Sequence, residues 1–128
     1  MDLNVIAIIV GGFIYMAFGA FYYSPVLFGN KWGQLNNVGE EGTKPINFVW
    51  SAVVAFASSF FMAVIVDLAG ATDLAAGLQV GALVGILLLL GFFKNMVFGM
   101  TSKKVYAIAV SDHFIMFCVL GMLHAIWG

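Results

Sequence analysis

Apolar positions run almost unbroken through four stretches of the chain, near residues 3–23, 45–68, 74–98 and 105–127, and polar residues collect between them. Stretches of this length read as membrane-spanning helices, because about 20 residues at ~1.5 Å rise cross a hydrocarbon core of about 30 Å. The pattern predicts an all-α integral membrane protein, a single membrane domain over residues 1–128 built as a bundle of four transmembrane helices. A short interfacial helix is expected after helix one, near residues 25–35. Its motif is Tyr23, Ser24, Pro25, Phe28, Gly29 and Trp32. Serine before proline suits an N-cap and first helical position, and aromatic rings with polar tips favour the membrane surface. Asp2 is placed to cap helix one, Thr43 helix two, and Thr72 or Asp73 helix three.

Small residues mark the faces on which these helices pack. Ala7, Gly11, Gly12 and Gly19 give helix one such a face, and Ser51, Ala52, Ala55, Ser58 and Ser59 give one to helix two. Serines in membrane helices usually bond carbonyls of their own preceding turn, so these serines are not read as a site. Gly77, Gly81 and Gly85 recur every fourth residue, and helix four carries Gly121 in its own small stripe. Close backbone approach at small residues drives helix association in lipid, so this glycine zipper predicts a tightly packed partner, in the same chain or another. At ~100° per residue, Gln79 and Lys94 fall on the side away from the glycines.

Composition narrows the class. With 63% hydrophobic and 9% charged residues the chain departs from any ordinary soluble domain, and a net charge of −1 without arginine excludes a nucleic-acid footprint. Cys118 stands alone and reads as a packing residue. Lys31, Lys44, Lys94, Lys103 and Lys104 all fall at the connections after helices one and three. The positive-inside rule then places those connections in the cytoplasm and both termini outside, in a membrane such as a bacterial inner membrane. The first stretch lacks the basic lead and cleavage site of a signal peptide and is expected to be retained.

Polar groups inside the apolar runs are the candidate chemistry, since each is costly at depth. Lys94 and Asn95 precede the polar turn at Thr101 to Lys104, and Asp112 with His113 follow it. If helices three and four are antiparallel neighbours, an intramembrane Lys94–Asp112 ion pair could form beside His113. His113 and His124, eleven residues apart, share one helix face about 16 Å apart along the axis. A two-fold dimer could set such histidines in facing pairs, each pair able to hold a haem iron. No catalytic constellation, metal-ligand spacing or cofactor motif emerges, and no enzyme is expected.

Tyr23-Ser24-Pro25 with Leu27-Phe28-Gly29 and Trp32, then His113, Gly121 and Trp127, give the chain a resemblance to a known family. It resembles the small four-helix membrane proteins grouped as domain of unknown function family 1761. The resemblance implies the four-helix fold and points to His113 without supplying an activity. That family often has an aromatic residue before the helix-four histidine, where this chain has Asp112, so a role for Asp112 is not implied. The first functional expectation is a structural or accessory membrane subunit, acting in the bilayer through helix packing as a homo-oligomer or within a larger complex. The alternative is a channel or transporter for a small solute or proton that uses Lys94, Asn95, Asp112 and His113.

Overall fold

The computed structural model describes residues 3–22, 45–99 and 103–127. The interfacial motif, Asp2, Thr43, Lys31, Lys44 and the turn at residues 100–102 lie outside them. Four helices are present, α1 (Val5–Tyr22), α2 (Pro45–Ala69), α3 (Leu74–Val97) and α4 (Lys103–Ile126), and no strand occurs among the described residues. Three are long and apolar enough to cross a membrane, over Val49–Ala69, Leu74–Val97 and Tyr106–Ile126. The apolar run in α1, Val5–Phe21, is shorter.

Local chemistry sets the helix ends. Asn4 caps α1, its Oδ1 accepting from the Ala7 amide at 3.1 Å, so the helix starts at Val5. A side-chain acceptor there satisfies one of the first turn's free N–H groups. Asp73 does the same for α3, accepting from the Ala76 amide at 2.7 Å. Between α2 and α3 the chain turns at Gly70, whose φ of 69° is left-handed backbone that glycine adopts without a Cβ clash. Lys94 lies in the last turn of α3, where a cation faces the negative end of the helix dipole.

Packing follows the glycines. α3 lies on α4 so closely that a Cβ at Gly77 would overlap the Gly121 carbonyl oxygen, and one at Gly81 would overlap that of Phe117. At Gly85 the limit is the Phe114 ring, 2.6 Å from the Cβ position. The partner of this stripe is therefore α4 of the same chain. Gly12 does similar service on α1, receiving the Phe56 ring of α2. α4 touches all three other helices, whereas α3 barely meets α2. Tyr15, Ala55, Met62, Met116 and Leu120 form the core on the α1, α2 and α4 side.

Candidate functional site

The site is assembled around the middle of α4. Asp112 is 4% exposed, deeper than any other charged residue described. His113 points its Nδ1 at the Tyr15 hydroxyl of α1, 2.5 Å away. The buried Asp112 precedes His113 on α4, so a carboxylate lies beside the residue that meets Tyr15. The imidazole ring lies nearly parallel to Phe92 of α3, with centroids 6.2 Å apart and planes at 11°. It is also near-parallel to Phe117, one turn on in α4, at 6.4 Å and 25°. His113 thus sits where α1, α3 and α4 meet.

The expected Lys94–Asp112 pair is not part of this arrangement. Lys94 is exposed and Asp112 buried, and the reason lies in the glycine stripe. Gly77, Gly81 and Gly85 face α4, and Lys94 falls about 180° round the helix from Gly85, pointing away from the element that carries Asp112. Asn95 is exposed beside it. Of the expected cluster the structure brings together Asp112 and His113 and leaves Lys94 and Asn95 outside.

A second polar knot lies toward the other end of α4. The Ser59 hydroxyl of α2 donates to the Ile8 carbonyl of α1 at 2.8 Å and lies 3.1 Å from Nε2 of His124. Ser59 and His124 are 0% and 4% exposed. Ser59 thus ties three helices together and does not serve only its own preceding turn. Gly11 makes the room, since a Cβ there would overlap Ser59 Oγ. Met62, Met116 and Leu120, all at most 1% exposed, belong to the core that α4 carries between its two histidines. Each histidine has one ring nitrogen engaged inside the chain, Nδ1 of His113 and Nε2 of His124.

Tyr15 and Ser59 were the residues that pattern alone did not single out. A tyrosine in an apolar run looks like core, and only the pairing of α1 with α4 shows what its hydroxyl meets.

Together the fold and this site define a bundle of apolar helices with a polar centre, Tyr15 and Asp112 buried and His113 half-buried. The family model described as a protein of unknown function, DUF1761, matches residues 6–125, and the chain belongs to that family. No curated protein matches the chain, and no solved structure matches it.

Proposed function

We propose that this protein spans a bacterial inner membrane and acts as a proton-coupled carrier of a small solute, with Tyr15, His113 and Asp112 as its working centre. The observation that carries the reading is the Tyr15 hydroxyl bonded to His113 next to the buried Asp112, within the apolar body of the bundle. An ionisable group at such depth costs roughly 2.5–3.5 kcal/mol on insertion scales and marks substrate or proton pathways more often than packing. Histidine changes charge near neutral pH, and a tyrosine hydroxyl can pass a proton on. The buried Met62, Met116 and Leu120 suit a carrier that must rearrange better than an open pore. The lysine distribution supports the orientation, with the connections after α1 and α3 cytoplasmic and the termini outside.

The test is charge movement on a solid-supported membrane, which needs no knowledge of the solute. A jump from about pH 8 to about pH 6 spans the histidine range and should give a transient current as the centre takes up protons. His113→Ala should remove it, and Tyr15→Phe should slow it. A parent trace equal to that of His113→Ala would reject the reading.

The accessory-subunit reading keeps one observation in its favour, the outer face of α3. Leu83, Leu87, Leu90 and Phe93 are exposed there, and only 17% of the span is buried. Lipid or another subunit would cover that face. Native mass spectrometry from gently extracted membranes decides between them, because a stoichiometric foreign subunit would support the accessory role.

A further inference from the structure

A recess of about 430 Å³ opens at the end of the bundle where α2 and α4 finish. Asn4, Asp67, Thr72 and His124 supply its polar lining, and Val66 and Ile126 are among its apolar walls. Asn4 is already engaged, since its Oδ1 accepts from the Ala7 amide and its Nδ2 donates to the Trp127 carbonyl at 2.7 Å.

Hydrogen-bond accounting then fixes what His124 offers. A serine hydroxyl has one hydrogen, and a carbonyl oxygen can only accept. Ser59 gives its hydrogen to the Ile8 carbonyl, so toward His124 it must accept, and Nε2 carries the proton. In the neutral ring Nδ1 is then the bare acceptor. It is the ring nitrogen left for an occupant of the recess that His124 lines. Asp67, exposed at the rim, is a second acceptor and bears a negative charge. The lysines among the described residues, Lys94, Lys103 and Lys104, belong to the opposite end of the bundle. An occupant suited to this lining brings positive charge and more than one N–H donor.

We propose that the recess binds a primary ammonium group, with the Asp67 carboxylate as its counter-charge and His124 Nδ1 accepting one of its N–H bonds. Two sources share that chemistry, the amino headgroup of a phospholipid at this membrane face and a small free amine. The site stands apart from the His113 centre and does not depend on the carrier reading.

The experiment uses the full chain with histidine rings labelled with nitrogen-15, in micelles, titrated with ethanolamine and separately with choline. Ethanolamine should shift the His124 Nδ1 resonance saturably. Choline, which has the charge but no N–H, should not. Asp67→Asn should weaken ethanolamine binding roughly tenfold or more, the scale of one charge-assisted hydrogen bond. Asp67 is exposed, so the helical circular dichroism of that variant should match the parent's. Ser59→Ala, which releases the tautomer, should weaken binding too, whereas His113→Ala should leave it unchanged. In nanodiscs followed by native mass spectrometry, retention of phosphatidylethanolamine over phosphatidylcholine, abolished by Asp67→Asn, would identify the lipid headgroup as the source. Saturable ethanolamine binding without lipid preference would identify a free amine. Equal responses to choline and ethanolamine, an Asp67→Asn variant that binds like the parent, or no response to any ammonium probe would overturn the proposal.

Discussion

α3 and α4 lie against each other along their lengths, yet they are opposites. α3 buries 17% of its span and presents leucine and phenylalanine outward, while α4, the least apolar of the three long helices, buries 39%. In water the more apolar helix would be the inner one. In the membrane proposed for this bundle the surroundings would be as apolar as leucine, so what gains from being inside is small residues that pack and polar groups that need partners. α4 carries Asp112, His113 and His124 and accordingly touches every other helix. α3 contributes its glycine stripe, the Phe92 ring and the partly buried Val80 and Val84, and leaves much of the rest outside.

The largest effect should come from breaking the surface these two helices share. Gly81→Leu would drive a side chain into the Phe117 carbonyl and the Cys118 Cα, the latter 2.7 Å from the Cβ position. Backbone cannot yield as a side-chain tip can, so the loss should exceed about 3 kcal/mol. Thermal melting in micelles would read it, with Gly91→Leu as comparator on the same helix. Gly91 has nothing within 4 Å, and its substitution should leave the melt near the parent's. Equal melts for the two variants would refute the close approach.

Next in size is the centre itself. His113→Ala removes a ring lodged between Phe92 and Phe117 and leaves the Tyr15 hydroxyl without its imidazole partner. A partial cavity plus a lost, part-buried hydrogen bond should cost about 2–3 kcal/mol. Tyr15→Phe keeps the ring and loses only the hydroxyl, for about 1 kcal/mol. If Tyr15→Phe proved the costlier of the two, the hydroxyl would have a second partner that matters more than His113.

How much of this was legible beforehand depends on the kind of signal. Four apolar stretches, the Asp73 cap and most of the small-residue faces follow from local pattern, because helix geometry acts residue by residue, although Gly19 of the expected α1 face has nothing within 4 Å. The glycines announced a close partner but not which one, since spacing carries no information about the facing helix. The polar centre was half visible. Asp112 and His113 stand out in an apolar run, whereas Tyr15, nearly a hundred residues away, becomes a partner only through tertiary pairing. The cap of α1 shows the same limit at short range, for the pattern puts it at Asp2 and the structure puts it at Asn4, because the helix starts at Val5.

Ser59→Ala should have a smaller effect than His113→Ala. It deletes the hydroxyl that joins α1, α2 and α4 but creates almost no cavity. Polar contacts between membrane helices average about 0.6 kcal/mol, and leaving His124 Nε2 without an acceptor adds to that, for about 1–2 kcal/mol in all. Ser58→Ala on the same helix is the control. A cost at Ser59 no greater than at Ser58 would mean the three-helix tie contributes nothing.

Smallest of all should be Lys94→Ala, and its smallness is informative. The sequence offered two arguments about Lys94, that it could pair with Asp112 and that it lies opposite the glycines, and they conflict once the glycines are seated on α4. A residue opposite that stripe points away from α4 and cannot reach a carboxylate buried on it. The remaining contribution is that of an exposed cation at the negative end of α3, no more than about 0.5 kcal/mol. Lys94→Ala should therefore melt with the parent and leave the pH-jump current intact, even as His113→Ala alters both. A loss approaching that of His113→Ala would place Lys94 inside the polar centre and reverse the assignment of faces on which the contrast between α3 and α4 rests.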